Sequence, residues 1–215
     1  MNRNQLLQIA PLMGIARADT FLGPIERACA RYSINTIKRQ AHFLAQLLHE
    51  SQNFGRMVEN LNYTPAGLLA TFGHHFTEDQ AEQYGRTPEH PANPRMIAQL
   101  AYNGRMGNLP NSEDGWRFRG RGGIQLTGRS NYTACGAAIG YDLVSSPELV
   151  QEADVGMLAG GWFWNEGNRT GKSLNALADI GDVAGIRKIV NGGTLGLQEC
   201  TTLTTRALGV LGAAA

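Results

Sequence analysis

Two glutamates, Glu50 and Glu59, stand nine residues apart and have the side chains that paired-carboxylate chemistry needs. In this chemistry one carboxylic acid protonates a leaving oxygen, while the opposite carboxylate removes a proton from an attacking water. Inverting cleavage of a glycosidic bond places the two groups about 6.5 to 9.5 Å apart. The spacing alone does not distinguish the pair from two solvated surface glutamates, because exposed glutamate is common.

Residues 35–50 are predicted to form a helix, with Glu50 near its C-terminus. Apolar residues recur there at intervals of four, three and four, which is typical of a helix with one face packed on a core: Ile37, Ala41, Leu44 and Leu48. The last carbonyls of a helix carry partial negative charge, so they favour the protonated form of a nearby carboxyl group unless a cation compensates. This position suits a general acid.

The chain must leave this helix before it reaches Glu59. An unbroken helix would place the two carboxylates on opposite faces and about 13 Å apart along the axis, where they could not share a substrate. We therefore predict that the helix stops near Gly55 and that the chain turns back, so that Glu59 faces Glu50 across a cleft.

Metal and thiol chemistry are not indicated by the spacing of histidines and cysteines. His49 and Glu50 begin the HExxH pattern of zinc proteases, but Asn53 stands where the second histidine would be. We therefore predict no metal site. The chain has three cysteines without CxxC spacing, Cys29, Cys135 and Cys200. An odd set of this kind predicts buried free thiols in a reducing compartment.

A second group of candidate residues lies in the glycine- and arginine-rich segment 115–132, GWRFRGRGGIQLTGRSNY. Its neutral polar side chains offer donors and acceptors for the hydroxyl and acetamido groups of a carbohydrate: Gln125, Thr127, Asn131 and Tyr132. An RNA-binding segment is disfavoured because such segments are longer and repetitive, and a phosphate-binding loop lacks its GxxxxGK[ST] pattern. The remaining alternative is a turn whose arginines pair with nearby carboxylates, Glu50 among them.

Length and composition predict one soluble domain over residues 1–215. A mainly α-helical architecture is predicted from four potential N-caps with suitable first-turn residues: Thr64, Thr77, Asn93 and Asp182. The net charge of +1 gives no strong field for nucleic acid, and no stretch approaches the ~20 apolar residues that span a bilayer. Only Gly123–Thr127 resembles a strand. Pro11 interrupts the apolar start of the chain, which favours a broken first helix over a signal peptide and synthesis into the cytoplasm.

Four blocks of the sequence, in order, resemble glycoside hydrolase family 19: AHFLAQLLHES at residues 41–51, VENLNYT at 58–64, FRGRGGIQLTGRSNY at 118–132 and VNGG at 190–193. Within that family the chain is most similar to the compact, lysozyme-like endolysins of bacteriophages. It is short, lacks the paired cysteines of secreted members and carries no chitin-binding module. Gly123 departs from the family, where an aromatic residue or proline often stands.

The resemblance implies a compact multi-helix fold with a central cleft and little or no β-structure, an inverting reaction, and no metal or organic cofactor. It implies that Glu50 is the general acid, Glu59 the general base, and Thr127 a residue that holds the attacking water. The residues that the resemblance places in the sugar groove are Gln125, Tyr132 and Asn191, and Arg121 is implied to tune a catalytic carboxylate.

The expected function is hydrolysis of β-1,4 bonds in bacterial peptidoglycan, leading to lysis of the host cell. The expected partners are peptidoglycan glycan strands and, indirectly, a holin-type membrane protein that releases a monomeric enzyme from the host cytoplasm to the wall. Nucleic-acid binding and stable membrane insertion are not expected. Two alternatives stay open, namely a chitinase and a non-catalytic wall-binding or phage structural protein.

Three later features have two interpretations each. Trp162 and Trp164 could stack on sugar rings, although tryptophans at helical spacing more often pack in a core. Asn191, followed by two glycines, also reads as a helix C-terminus. Arg206, on a predicted closing helix from Leu197 to Leu211, could reach back towards the acidic site.

Overall fold

A computed structural model describes residues 1–213, and within them the fold is built from helices. The helices are α1 (Arg3–Ile9), α2 (Ile15–Arg31), α3 (Ile37–Glu50), α4 (Pro65–Phe72), α5 (Glu78–Tyr84), α6 (Pro94–Tyr102), α7 (Asp114–Arg117), α8 (Arg129–Ile139), α9 (Ala153–Trp162), α10 (Asn175–Ile180), α11 (Val183–Asn191) and α12 (Leu197–Gly212). The prediction of a mainly helical fold is confirmed.

Local sequence chemistry explains where many helices begin. Four predicted N-caps are confirmed, since each side chain accepts a hydrogen bond from the backbone N–H three residues later: Thr64, Thr77, Asn93 and Asp182. α1 ends at Ile9, before Pro11, so the predicted break in the first helix is also confirmed. The closing helix α12 runs one residue beyond its predicted end.

Extended structure within residues 1–213 is limited to two antiparallel bridges, Val58 with Arg121 and Arg121 with Leu126. The prediction of a strand at Gly123–Thr127 is therefore wrong. Gly122 and Gln125 have φ angles of 80° and 57°, which belong to tight turns and are incompatible with an extended strand. This short hairpin matters because it lies beside the candidate site.

The larger hydrophobic cluster surrounds α3, whose Phe43, Leu44, Leu47 and Leu48 are all buried. Trp162 and Trp164 belong to this cluster and are at most 6% exposed, so the core interpretation of the tryptophans is confirmed. Trp164 also packs edge-on against Phe43, with ring centroids 5.4 Å apart. The rigid packing of α3 fixes the base from which Glu50 projects.

A second hydrophobic cluster is separate from the first and is called the small cluster. Its buried residues come from α4, α5, α6 and the chain just before them: Leu61, Leu68, Phe76, Ala81, Ile97, Ala98 and Ala101. Aromatic residues pack around it, among them Phe72 and Tyr102. The segment that carries Glu59 connects α3 to this cluster.

The three cysteines are buried and free, as predicted. Burial raises the pKa of the Cys29 and Cys135 thiols to about 12, so both stay protonated and unreactive near neutral pH. No helix within residues 1–213 is both long enough and apolar enough to cross a membrane.

Candidate active site

Glu50 is the last residue of α3, at the predicted helix end. Its carboxylate forms a hydrogen-bonded ion pair with the guanidinium of Arg187 from α11. Arg187 is 3% exposed, whereas the Glu50 side chain is 21% exposed, so the cation lies inside and the carboxylate reaches the surface. Arg187 is the compensating cation that a carboxylate at a helix C-terminus requires.

Arg187 has two further partners, which fix its own position. Nη1 donates to Gln46 Oε1 at 3.1 Å, and Nε donates to the carbonyl of Leu195 at 2.6 Å. Asn191 Nδ2 donates to the same carbonyl at 3.0 Å. Glu50 is thereby joined to the loop that follows α11, which contains the NGG sequence.

The chain leaves α3 before it reaches Glu59, as the chemistry requires. The turn is made by residues 52–54 and not by Gly55, where it was predicted. Gln52, Asn53 and Phe54 have φ angles of 51°, 57° and 58°, three successive residues in the left-handed region, whereas Gly55 is outside it. Ser51 Oγ accepts a hydrogen bond from Phe54 N at 2.8 Å and holds the turn closed. The turn is made by residues other than glycine and is anchored by the burial of Phe54.

Glu59 is half-buried and is held by two donors. Gly120 N donates to Oε1 at 2.6 Å, and the hydroxyl of Tyr102 donates to Oε2 at 2.8 Å. The backbone is fixed as well, since Glu59 N donates to the carbonyl of Gly120 at 2.9 Å. The two donors, one on each oxygen, fix the orientation of the carboxylate.

Gly120 is the point at which three of the predicted site residues meet. A Cβ atom at Gly120 would lie 2.8 Å from Gln125 Oε1, 3.3 Å from Thr127 Oγ1 and 3.4 Å from Glu59 Cβ. The structure therefore brings Gln125, Thr127 and Glu59 together around a position with no side chain. Thr127 Oγ1 donates to the carbonyl of Gln125 at 3.0 Å, which leaves its oxygen lone pairs free to accept from a water.

The hairpin that supplies Gly120 packs against the helix that carries Glu50. A Cβ atom at Gly123 would lie 3.1 Å from Leu47 Cδ2 and 2.9 Å from Met157 Cε. No larger residue fits there without displacing the core, which explains the departure of this position from the family pattern. The same contact joins the surroundings of Glu59 to the last turn of α3.

Two of the predicted groove residues lie inside the protein. Tyr132 is 0% exposed and Arg121 is 4% exposed, so the structure does not support direct contact of either residue with a sugar. The Tyr132 hydroxyl donates to the carbonyl of Arg119 at 2.7 Å, and Arg121 Nη1 donates to the Tyr132 hydroxyl at 3.0 Å. Both residues support the hairpin from the interior of the protein. Among the described contacts, Arg121 bonds to neither glutamate.

Asn191 is exposed at the end of α11, where Gly192 has a φ of 83° and follows as the C-cap. Its C-terminal position is as predicted, and its side chain braces the loop through Leu195. Arg206 Nη1 donates to the carbonyl of Ile9 at 3.1 Å, and Arg206 bonds to neither glutamate among the described contacts. Within residues 1–213 no cluster of three or more histidine, cysteine or acidic side chains could hold a metal ion.

Comparison with known proteins gives the family. The glycoside hydrolase family 19 domain, described as "Chitinase class I", matches residues 30–181, which is more than half of the chain. The chain belongs to glycoside hydrolase family 19. Family 19 membership makes this protein a glycosidase, an enzyme that hydrolyses glycans.

Individual relatives extend this result. The chain is 37% identical over 163 residues to a glycosyl hydrolase family 19 domain-containing protein of Haemophilus influenzae, covering 75% of this chain and 74% of the relative. It is 42% identical over 91 residues to the acidic 27 kDa endochitinase of Solanum lycopersicum, covering 35% of this chain and only 37% of the plant protein.

The fold also matches solved structures. Chitinase C from Streptomyces griseus superposes with a TM-score of 0.62 at 22% identity, covering 98% of this chain and 92% of that one. At this identity the match shows the fold alone. The predicted family 19 architecture is confirmed.

Sequence reasoning missed two residues of the candidate site, Arg187 and Tyr102. Each contacts a glutamate that is distant in the chain, 137 residues away for Arg187 and 43 for Tyr102. The local sequence around Tyr102 predicts only that a helix begins at Asn93–Pro94, and Tyr102 is the last residue of that helix. The arrangement as a whole supplies one carboxylate paired with a cation and one held by neutral donors.

Proposed function

We propose that this family 19 enzyme hydrolyses β-1,4 glycosidic bonds of bacterial peptidoglycan by single displacement. In this reaction Glu50 protonates the glycosidic oxygen, and Glu59 removes a proton from a water that attacks the anomeric carbon from the opposite face. The observation that carries the proposal is the convergence of Glu59, Thr127 and Gln125 around Gly120.

The contacts of the two carboxylates leave an oxygen of Glu50 and acceptor positions on Glu59 available for these roles. Arg187 bonds to Oε1 of Glu50, so Oε2 is available to carry and deliver the proton. Glu59 has one donor on each oxygen, and a carboxylate offers about four acceptor positions, so a water still has a place to bind. Thr127 would accept a hydrogen bond from that water, and Gln125 and Asn191 would bind the flanking sugars.

The biological setting is part of the proposal. The enzyme would act as an endolysin, made in the cytoplasm of an infected bacterium and released to the wall after a holin-type protein permeabilises the membrane. It would act there as a monomer on glycan strands and cause lysis. The resemblance of its four sequence blocks to phage endolysins supports this setting.

Chitin is the second candidate substrate. The plant relative is named an endochitinase, and the solved structure that matches the fold is a chitinase. Both polymers consist of β-1,4-linked amino sugars with acetamido groups, which neutral polar side chains recognise equally well. Parallel assays on purified cell walls and on chitin oligomers decide between the two.

The test compares the parent enzyme with Glu50→Gln and Glu59→Gln on both substrates. We expect each variant to lose at least about a hundredfold in rate, because general acid–base catalysis contributes about 10² to 10⁴. NMR of fresh products should show the inverted anomer. Glu82→Gln, an exposed change on α5, is the matched control. Folded glutamine variants with the parent rate would refute the mechanism, and a folded parent inactive on both substrates would favour a wall-binding protein.

A further inference from the structure

Tyr102 occupies a position in which its hydroxyl group has little freedom. It is the last residue of α6, and its carbonyl accepts a hydrogen bond from Asn108 Nδ2 at 2.9 Å. Its ring packs edge-on against Phe72 of the small cluster, with centroids 6.0 Å apart and an interplanar angle of 88°. Backbone and ring are therefore fixed independently, and together they place the hydroxyl on Glu59.

The hydroxyl meets Glu59 from the side opposite the hairpin. Tyr102 reaches Oε2 from the small cluster, whereas the donor to Oε1 is the backbone of Gly120. Two donors of fixed position, one on each oxygen, determine the plane of a carboxylate. With only the Gly120 contact, the group could rotate about the bonds of the glutamate side chain.

The hydroxyl is a permanent donor. Burial, together with the nearby Glu59 carboxylate, raises the pKa of Tyr102 well above its usual range, so the phenol keeps its proton at every pH at which the enzyme would work. The negative charge of Glu59 also acts to raise the pKa values of three other described side chains: Tyr63, Tyr132 and Arg119. Of all these groups, only Tyr102 donates a side-chain hydrogen bond to the carboxylate among the described contacts.

We infer that Tyr102 is a positioning residue that orients the Glu59 carboxylate towards the attacking water from the small cluster. The inference rests on the proposed role of Glu59 as the general base. Tyr102 does not touch the sugar in this role. Its hydrogen bond sets the direction of the acceptor positions that remain on Glu59.

The test is Tyr102→Phe, which keeps the ring on Phe72 and removes only the oxygen. We expect kcat to fall about tenfold with KM within about twofold, because a charge-assisted hydrogen bond is lost from the base and not from the substrate. Tyr84→Phe is the control, since Tyr84 flanks the same cluster and makes no described side-chain hydrogen bond; it should change neither quantity.

A second readout does not need turnover. The ¹³C carboxyl resonance of Glu59, measured by NMR at one fixed pH, should shift in Tyr102→Phe and stay in place in Tyr84→Phe, because only the first variant loses a hydrogen bond to this carboxylate. An unchanged resonance together with an unchanged kcat would overturn the inference. In a Glu59→Gln background, Tyr102→Phe should cause no further loss of rate.

Failure of the proposed function looks different from failure of this inference. If Glu59→Gln retains the parent rate, the role of Glu59 as base is wrong, whatever Tyr102 does. If Glu59→Gln is inactive while Tyr102→Phe keeps the parent kcat and the parent carboxyl resonance of Glu59, the positioning role alone is wrong.

Discussion

The two carboxylates of the site are held in opposite ways. Glu50 projects from a helix of the large core and is paired with Arg187, a charge that is itself buried. Glu59 lies on the connection to the small cluster and is held by a peptide N–H and a phenol, both neutral. The charge of Glu50 is therefore tied to the stability of the fold through Arg187. The orientation of Glu59, in contrast, is set by two neutral hydrogen-bond donors.

Loss of Arg187 should have the largest effect on stability. Arg187→Met would leave Glu50 without its cation, and Gln46 Oε1 and the Leu195 carbonyl without a donor. We expect the free energy of unfolding in urea to fall by about 3 kcal/mol. Glu59→Gln, which removes no ion pair, should cost less than about 1 kcal/mol. Equal losses for the two variants would contradict the comparison.

The same contrast predicts that the stability losses caused by changing Glu50 and Arg187 are not additive. The double variant Glu50→Gln and Arg187→Met should lose less stability than the sum of the two single changes, because the second change removes the charge that the first left unpaired. Strict additivity would mean that the pair is not coupled.

The turn after α6, which positions Tyr102, depends on Asp114. This buried carboxylate accepts hydrogen bonds from Leu109 N and from Arg129 Nε and Nη2 at 2.7 to 2.9 Å. The bonds from Arg129 hold the pKa of Asp114 below its usual value. A depressed pKa stabilises the fold at pH values above the unfolded pKa, and this stabilisation is lost as the pH falls through the folded pKa.

Asp114→Asn should therefore cost about 2 kcal/mol at pH 7. The difference from the parent should shrink progressively below about pH 3.9, as Asp114 becomes protonated. Urea unfolding at several pH values measures it. Asp19→Asn is the control, because the Arg3–Asp19 pair is half exposed and should contribute less than about 0.5 kcal/mol. A pH-independent difference for Asp114 would sink the assignment.

A side chain added at Gly120, where Glu59, Gln125 and Thr127 converge, should affect activity more than stability. In Gly120→Ala the new methyl group would displace Gln125 Oε1, the flexible end of a side chain. We expect kcat/KM to fall about tenfold while stability changes by no more than about 1 kcal/mol. Gly209→Ala on α12, where a Cβ meets nothing within 4 Å, should leave activity unchanged.

The smallest effect is expected for Arg206→Gln. Because Arg206 bonds to the carbonyl of Ile9 and to neither glutamate among the described contacts, kcat/KM should stay within about twofold of the parent. A loss of tenfold or more, in an assay on folded protein, would show that Arg206 reaches the acidic site after all.

What could be predicted from the sequence was local. The end of α3 at Glu50 and the caps at Thr64, Thr77 and Asn93 depend on residues three or four positions apart, which is the range of helical hydrogen bonding. The need for a break before Glu59 followed from helix geometry. Even so, the residues that make the break have left-handed backbone conformations, which Asn53 favours but Gln52 and Phe54 do not.

What could not be predicted were contacts between distant segments. Residues 85–116 look the least ordered in the sequence because they are rich in proline, asparagine and glycine, yet this region supplies Tyr102. The burial of Arg121 and Tyr132 also depends on packing that adjacent residues do not encode. Residue types alone place polar groups near a site, but only the packing determines which of them face the groove.

The turn at Gln52–Phe54 offers a place to engineer the enzyme. Left-handed backbone at residues other than glycine costs about 1 kcal/mol each, and Gln52 is exposed at the start of the run. A glycine there would remove the steric part of that cost, at the expense of a more flexible unfolded chain. The net effect of this glycine on thermal stability therefore depends on which of the two contributions is larger. The same substitution would also loosen the turn that directs the chain towards Glu59.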